Sequence, residues 1–210
     1  MHCTRRKTTC RPNRHLLGTS VIGLLLVSAL SACSRTVEWQ EEVLLNTGEI
    51  IWVTRSVRYS IKGDAGNPAD LAYRPDWVET ISFSYRERDY SYTGTASVMV
   101  LAISPNKQPV LIAPASHKNW YYTHNFPCVI PYYVQVNPDK TGWWNWLPKL
   151  DAWAYNLPAN LMVDRDELTK VKSSYSITDK SKQRYLIDPR STYMQKIDPT
   201  YQSDNCKTRN

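Results

Sequence analysis

Residues 37–61 read VEWQEEVLLNTGEIIWVTRSVRYSI, and this stretch decides the fold. Within residues 49–61 the apolar and polar side chains fall on opposite faces of an extended chain. One face carries Ile51, Val53, Val57, Tyr59 and Ile61, and the other carries Trp52, Thr54, Ser56, Arg58 and Ser60. A period of two is typical of a half-buried antiparallel strand. Because Asn46-Thr47-Gly48 is a turn sequence, residues 37–45 and 49–61 are predicted to form a β-hairpin.

The same hairpin pattern continues along the chain. Residues 81–94 alternate between large apolar and small polar side chains on both sides of a tight turn, which is predicted at Glu87-Arg88. Residues 97–103 and 109–113 are nearly continuous apolar runs. Such runs predict a pair of strands that are buried on both faces and are therefore central in a sheet.

Proline and glycine residues indicate where the remaining strands lie in the sheet and where the chain has no regular structure. Residues 129–136 and 142–147 form the last predicted pair, and Pro131 places the first of them at a sheet edge, since proline cannot donate to the ladder. Residues 62–78 contain two glycines and two prolines. We therefore expect a long connection without regular structure over residues 62–78, of the kind that often carries function.

Residues 164–175 are predicted to form a helix. Asp164 can cap its first turn, and Glu167 follows three residues later, as in a capping box. Beyond Ser176 the chain is polar, and we expect an extended tail that wraps the domain. These patterns together predict a mainly β fold, an antiparallel sheet, sandwich or partial barrel built from hairpins, with one C-terminal helix and an extended tail.

The N-terminal segment has the organisation of an export signal. Five basic residues and no acidic residue lie before position 33, and an apolar run covers residues 16–30. This run is shorter than the ~20 residues that span a bilayer. A signal peptide is therefore favoured over a transmembrane anchor, and a soluble exported protein is the other alternative. The segment ends at Leu30-Ser31-Ala32-Cys33, which resembles the lipobox of bacterial lipoproteins.

The lipobox resemblance implies that residues 1–32 are removed and that Cys33 carries diacylglycerol and palmitate-like acyl chains, which anchor firmly when two or three are present. Ser34 stands where an inner-membrane retention signal would have aspartate, so the resemblance points to the periplasmic face of the outer membrane. The predicted parts are a cleaved signal peptide (1–32), a lipid-anchored linker (33–36), a β domain (37–163), and a helix with a wrapping tail of the same domain (164–210).

The net charge of +7 comes mostly from the signal segment. Removal of five of the 26 Lys and Arg residues, and of none of the 19 Asp and Glu residues, leaves a net charge of +2 on the mature chain. Nucleic-acid binding requires a clustered basic footprint, so nucleic acid is excluded as a partner. Removal of 32 of the 210 residues leaves 178, which is enough for one domain with its own core.

The cysteines predict one disulfide bond. Two of the five leave with the signal segment, and Cys33 is assigned to the lipid. Cys128 and Cys206 then remain in an oxidising compartment, where disulfides persist, and we expect them to pair. The alternative is that Cys128 is a nucleophile activated by His124.

No sequence pattern indicates catalysis. His117 and His124 are seven residues apart, which fits no common spacing of metal ligands. Glu41, Glu42 and Asp76 are single carboxylates, and we interpret them as solvated or ion-paired. We therefore expect no metal, no cofactor and no enzymatic activity, and a periplasmic hydrolase acting through His117 or His124 is the third hypothesis.

Two groups of residues are candidate binding surfaces. Tyr73, Arg74, Asp76 and Trp77 lie in the predicted connection and would meet an envelope protein. Trp143, Trp144 and Trp146 form the second group. Trp144 and Trp146 share parity, so on a strand they would form a flat two-ring surface suited to the sugar rings of peptidoglycan. The alternative for these rings is packing in the core, since Trp is highly buried on average.

Residues 39–45 (WQEEVLL) and 48–55 (GEIIWVTR) resemble a recurring opening of short proteins from Gram-negative bacteria. Those proteins look like lipoproteins or phage- and plasmid-associated proteins without an assigned function. The resemblance implies no activity and no catalytic residue, but it suggests that the first hairpin defines the fold. The sequence as a whole predicts a membrane-anchored lipoprotein with a non-enzymatic binding or envelope-assembly role, with peptidoglycan binding as the alternative.

Overall fold

In the computed structural model, the described part of the chain forms two β-sheets that pack against each other. The structure describes residues 34–63, 71–115, 128–147, 149–162, 172–182 and 195–202. The predicted signal peptide, Cys33, His117, His124 and Cys206 lie outside these residues. The predicted mainly β fold class, built from antiparallel hairpins, is confirmed.

Within the described residues, five strands form the larger sheet in the order β4-β3-β2-β1-β9. They are β1 (Ser34–Leu44), β2 (Ile50–Lys62), β3 (Ala72–Tyr85), β4 (Arg88–Gly94) and β9 (Ser174–Tyr175). The first four pair antiparallel, whereas β9 pairs in parallel with β1 at Gln40 and Glu41. The predicted first hairpin is present, and Gly48 in its turn has a φ of 88°, which glycine adopts without steric cost.

Four further described strands form an antiparallel sheet in the order β5-β6-β7-β8. They are β5 (Val100–Ile103), β6 (Pro109–Pro114), β7 (Tyr133–Pro138) and β8 (Trp144–Leu147). As predicted, β5 and β6 are buried on both faces along their whole length. This sheet is therefore the middle layer of the molecule.

The main core lies between the two sheets. It is built from the side chains that alternate inwards from each strand, among them Val43, Val53, Ile81 and Phe83 of the larger sheet and Leu101, Leu111, Val134 and Val136 of the smaller one. The alternation read from residues 49–61 and 81–94 thus identifies the face of the larger sheet that is buried.

A layer of irregular chain covers the other face of the smaller sheet. Residues 149–162, which include a single 3-10 turn at Ala152–Ala154, pack there together with residues 195–202. Leu150, Ala154 and Ile197 are fully buried against Val100, Val110 and Ile112. Short helix α1 (Ile177–Lys182) follows β9 and lies beside β1.

Two asparagine side chains cover the open edge of β5. Asn160 accepts from Leu101 N and donates to Leu101 O, at 2.9 and 2.8 Å. In the same way, Asn46 Oδ1 accepts from Ile103 N at 2.7 Å, and Asn46 Nδ2 donates to Ile103 O at 2.9 Å. Buried main-chain polar groups need such partners, and these amides replace the strand that β5 lacks on this side. The prediction that both strands of this hairpin are central is therefore wrong for β5, which is an edge strand.

Three predictions about strand positions are corrected. Strand β1 begins at Ser34, so residues 34–36 belong to the sheet and do not form a linker. Strand β3 begins at Ala72, so residues 72–78 are not part of an irregular connection. Pro75 is tolerated there because it pairs with Tyr59 at an irregularity in the β2–β3 ladder, and bulges accept a residue without an N–H.

The third correction concerns β7, which is an internal strand of its sheet because Pro131 precedes the ladder that starts at Tyr133. The turn between β3 and β4 also lies one residue earlier than predicted, at Arg86 and Glu87, which both have positive φ.

The predicted helix at 164–175 is wrong at its C-terminal end. Ser174 and Tyr175 are in β9, and Gln40 N donates to Ser173 O at 2.9 Å. The edge of β1 offers unpaired main-chain groups, and pairing with them overrides the local helix preference. Residues 164–171 of the predicted helix lie outside the described residues.

Candidate functional site

Four charged side chains form a buried cluster that the sequence did not lead us to expect. Glu41 of β1, Arg55 of β2, Glu79 of β3 and Lys180 of α1 are at most 2% exposed. Arg55 Nη1 donates to Glu41 Oε1 at 3.1 Å, and Arg55 Nη2 donates to Glu79 Oε2. Lys180 Nζ donates to Glu41 Oε2 at 3.0 Å. Two carboxylates balance two cations, so the formal charge of this cluster is zero.

Main-chain groups supply further hydrogen bonds to all four members of the charged cluster. These bonds join Glu41 and Arg55 to Met162, Glu79 to Val98, and Lys180 to Asn160. Burial of a charge is tolerated when it is both paired and hydrogen-bonded. The cluster therefore ties the segment around Met162 and helix α1 to the larger sheet.

Burial and the paired charges act in opposite directions on the two cations. Burial acts to lower the pKa of Arg55, but the carboxylates of Glu79 and Glu41 outweigh it, so the pKa is raised above its ordinary value. Burial lowers the pKa of Lys180, although the carboxylate of Glu41 acts in the opposite direction. Because no member of the cluster is accessible, we assign it a structural role and place the ligand-binding candidate elsewhere.

The alternation pattern contained a signal for three members of the charged cluster. Each of the three lies an even number of residues from the buried apolar side chains of its own strand, and therefore points to the same face of the sheet. These neighbours are Trp39 and Val43 for Glu41, Val53 and Val57 for Arg55, and Ile81 and Phe83 for Glu79. The interpretation of Glu41 as solvated or ion-paired is confirmed for ion pairing, but it did not predict that the ion pairs are buried. No such local pattern marks Lys180.

The predicted protein-binding residues lie along the first part of β3. Arg74 and Asp76 are both half-buried there, and the main chains of Tyr73 and Trp77 are in the same strand. Asp76 is engaged within the sheet, because Lys62 Nζ lies 2.7 Å from Oδ1, Arg58 Nε lies 3.4 Å from Oδ2, and Ser60 donates to Oδ1. The hydrogen bonds from Lys62 and Ser60 lower the pKa of Asp76.

The three clustered tryptophans differ in exposure. Trp143 is 76% exposed, whereas Trp144 and Trp146 are half-buried and pack against the main core. Both half-buried rings meet Tyr92 edge to face, with ring centroids 5.8 and 5.9 Å away. Trp144 Nε1 also donates to Ser91 O at 2.7 Å. Trp144 and Trp146 thus fill the space between β8 of the smaller sheet and β4 of the larger sheet, and Trp143 is the ring that faces solvent.

The turn before β8 holds Trp143 in place. The Asp139 carboxylate accepts from Thr141 N, Thr141 Oγ1 and Trp143 N, at 2.7, 2.6 and 3.0 Å. These bonds, led by the Thr141 hydroxyl, lower the pKa of Asp139. Gly142 has a φ of 93°, a conformation that residues with a Cβ rarely adopt. The main chain that presents Trp143 is therefore fixed before any ligand arrives.

An open groove of about 500 Å³ runs beside Trp143, and we call it the aromatic groove. Its lining residues are Ser91, Tyr92, Thr93, Thr141, Gly142, Trp143, Trp144 and Trp146. The lining combines flat rings with hydroxyl groups and carries no formal charge. Sites of this kind offer apolar contact and a few polar groups that fix orientation.

Other predicted site residues are less completely described. Cys128 is disulfide-bonded, and its predicted partner Cys206 lies outside the described residues, as do His117, His124 and Cys33. No group of three or more His, Cys, Asp or Glu residues in the described ranges could hold a metal ion. Helices long and apolar enough to span a membrane are likewise not found in this part of the chain.

Comparison with protein-family models, curated proteins and solved structures found no match.

Proposed function

We propose that this chain is a membrane-anchored, non-enzymatic module of the bacterial periplasm that binds glycan strands through the aromatic groove. The observation that carries this proposal is Trp143, which is 76% exposed and held by the Asp139 turn next to hydroxyl groups. An exposed indole has an apolar face that can stack on a sugar ring and an N–H that can hydrogen-bond. Fixing the main chain that carries this ring in advance reduces the ordering cost of binding.

The proposed anchor residue directly precedes the first strand of the domain in the sequence. Strand β1 begins at Ser34, the residue that follows Cys33. A lipid on Cys33 would therefore hold the sheet at the membrane surface without a spacer, and the peptidoglycan layer would lie next to the module. Two or three acyl chains would make this attachment stable, whereas one would be reversible.

The region around Asp76 gives less support to a protein partner. Its carboxylate is already paired with Lys62 and Arg58 inside the sheet, and such a partner would have to replace these interactions. The residues that line the aromatic groove carry no formal charge, so a ligand there would not have to replace any ion pair. We therefore favour a glycan as ligand, and a protein partner becomes one outcome of the test below.

Glycan binding can be tested with the mature chain carrying Cys33→Ser, which removes the anchor and leaves the described residues unchanged. Titration calorimetry with an N-acetylglucosamine disaccharide measures affinity, and co-sedimentation with purified peptidoglycan measures retention. Trp143→Ala is expected to weaken both by at least about tenfold, because exposed Trp residues often dominate binding. Leu147→Ala, a truncation of an exposed apolar side chain on β8, is the control and should bind normally.

Two results would contradict the glycan proposal. One is unchanged affinity in Trp143→Ala with an unchanged melting temperature. The other is failure of the unaltered module to sediment with peptidoglycan while a defined envelope protein is captured from the same extract, which would favour the protein partner.

The anchor requires its own test. Mass spectrometry of the protein extracted from membranes is expected to give an N-terminal peptide that begins at a lipid-modified Cys33. An N-terminus at any other residue, or an unmodified Cys33, would refute the lipoprotein assignment and leave the glycan proposal intact.

A further inference from the structure

The outer face of the larger sheet carries rows of hydroxyl side chains that extend from the aromatic groove, at Ser91 and Thr93, towards β2. Across β2, β3 and β4 the register aligns Thr54 with Ser82, and Ser82 with Ser91. The hydroxyls of Ser82 and Ser91 share a hydrogen bond of 3.1 Å. In the next row Thr80 and Thr93 share one of 3.0 Å. This face is therefore polar and regular, with rows that run across the strands.

These hydroxyl pairs retain most of their hydrogen-bonding capacity. A hydroxyl group has one donor and two acceptor sites, so the bond between Ser82 and Ser91 uses one donor and one acceptor of the pair. Adjacent strands are about 4.8 Å apart, so the row offers polar groups at a short and constant spacing. A ligand with many hydroxyl groups of its own can match such a row.

An exposed aromatic ring lies beside the β2 end of the row, two residues before Thr54 and on the same face of the strand. Trp52 of β2 is 50% exposed and borders an open groove of about 420 Å³. The groove is lined by Trp52, Thr54, Ser82, Phe83, Ser84, Asp89, Tyr90 and Ser91. The Asp89 carboxylate accepts from Ser84 Oγ at 2.5 Å and has further acceptor sites for the hydroxyl groups of a ligand. We call this the Trp52 groove.

The two grooves meet at Ser91. Its side chain belongs to the hydroxyl row, it lines both grooves, and its carbonyl accepts from Trp144 Nε1. The path from Trp52 through Ser82 and Ser91 to Trp143 is thus continuous and crosses three strands of the larger sheet. Each end of this path carries an exposed indole.

We infer that the Trp52 groove is a second subsite and that the module holds a linear, uncharged glycan several sugars long between Trp52 and Trp143. This inference rests on the proposed function, because it extends the aromatic groove. It adds the length of the ligand, its direction across the strands, and the residues of the second subsite.

Charge at the two grooves disfavours an anionic polymer. Asp89 lines the Trp52 groove, and Glu42 is the direct neighbour of Trp52 on β1. Among the described residues that line either groove there is no Lys or Arg. A sulfated glycan or a nucleic acid would bring negative charge next to these carboxylates without a cation to pair with it.

Oligosaccharides of two lengths test the second subsite with the mature Cys33→Ser chain. The unaltered module is expected to bind an N-acetylglucosamine hexasaccharide at least about tenfold more tightly than the disaccharide. Trp52→Ala should remove this advantage and leave disaccharide affinity unchanged, whereas Trp143→Ala should weaken both ligands. Thr54→Val, which removes one hydroxyl of the row with little change in shape, should lower only hexasaccharide affinity.

Ser56→Ala and Ile50→Ser are the matched controls. Ser56 lies in the neighbouring row outside the Trp52 groove, and Ile50 is 57% exposed near Trp52. Both variants should bind the hexasaccharide normally, and melting temperatures should show that every variant is folded. A loss of hexasaccharide affinity in Ile50→Ser as large as in Trp52→Ala would overturn the subsite and indicate a broader apolar docking surface for a protein.

The outcomes separate this inference from the proposed function. If Trp143→Ala abolishes binding and Trp52→Ala leaves the hexasaccharide unaffected, the second subsite is wrong and the glycan-binding proposal stands. If neither oligosaccharide binds, both are wrong. If heparin competes with the hexasaccharide better than uncharged oligosaccharides do, the assignment of an uncharged ligand is overturned.

Discussion

Lys180 Nζ lies 3.0 Å from Glu41 Oε2, although 139 residues separate the two in the chain, and both side chains are at most 2% exposed. This pair connects helix α1 to the centre of β1. Arg55 holds the other oxygen of the same carboxylate. The position of α1 is therefore set by a buried charge on the larger sheet, and not by an apolar face of the helix alone.

Lys180→Met is expected to destabilise the protein by about 3 kcal/mol, since removal of one partner leaves a buried charge with fewer partners. The effect should fall at the low end of the range for buried pairs, because Glu41 keeps its ion pair with Arg55, although Arg55 also serves Glu79. Urea denaturation measures it. Lys172→Met is the control, since the Lys172–Asp179 pair is separated by 3.8 Å and exposed, and such pairs contribute little. Equal effects of the two variants would contradict the assigned role of the buried pair.

Asn160→Ala should cost about 2 kcal/mol of unfolding free energy. Asn160 Nδ2 donates to Leu101 O and Leu44 O, and its Oδ1 accepts from Leu101 N. Truncation leaves these main-chain groups without a partner, which costs more than the net value of a hydrogen bond. Asn46→Ala removes two bonds of the same type, to the N and O of Ile103, whereas Asn160→Ala removes three, so Asn46→Ala should cost less. A larger effect at Asn46 would refute this explanation.

The stability contributed by Asp76 should depend on pH. Hydrogen bonds from Lys62 and Ser60 lower its pKa in the folded state below the ordinary value of 3.8. A carboxyl with a lowered folded pKa stabilises above its unfolded pKa, and this contribution is lost as the pH falls through the folded value. Asp76→Asn should therefore reduce stability by about 0.5 kcal/mol at neutral pH, and the difference should vanish in strong acid.

Denaturation of Asp76→Asn and the unaltered protein at several pH values measures this difference. In a Lys62→Met background the neutral-pH effect of Asp76→Asn should shrink, because the main partner is already absent. A difference that persists unchanged to about pH 2, below the ordinary range of carboxyl pKa values, would show that the effect is not electrostatic.

Gly94→Ala should disturb the tryptophans of the aromatic groove from a distance. A Cβ at Gly94 would overlap the ring of Tyr92, and Tyr92 supports both Trp144 and Trp146. We expect a loss of about 2 kcal/mol, as for overpacking elsewhere, and a shift in tryptophan fluorescence. Gly48→Ala is the control. It should destabilise through its positive φ, but with no atom within 4 Å it should leave the fluorescence unchanged.

The disulfide partner of Cys128 can be assigned by peptide mapping under non-reducing conditions. Cys128 is disulfide-bonded, and the cysteine count predicts Cys206 as its partner. The expected product is one linked pair of peptides that contain these two residues, and Cys206→Ser should release a free thiol at Cys128. A linked pair that contains any other cysteine would show that the predicted pairing is wrong.

Part of the aromatic groove was predictable and part was not. The spacing of Trp143, Trp144 and Trp146 identified the correct segment, since a cluster of indoles is visible in any sequence. The division of roles among them depends on Tyr92 and Ser91, which lie more than 50 residues earlier in the chain. The spacing of Trp144 and Trp146 along one strand predicted a flat surface made by the two rings, but both rings instead pack against Tyr92 of β4.

The sequence by itself determined the hairpins, because the alternation at residues 49–61 and the turn at Asn46-Thr47-Gly48 act between neighbours in the chain. It also determined that Glu41, Arg55 and Glu79 share the parity of core residues. Only the tertiary structure decided that these charges neutralise one another, that Lys180 joins them, and that residues 174–175 pair with β1. The physical reason is that a buried charge or an open strand edge is satisfied by whichever group the fold brings to it, and no local pattern records that partner.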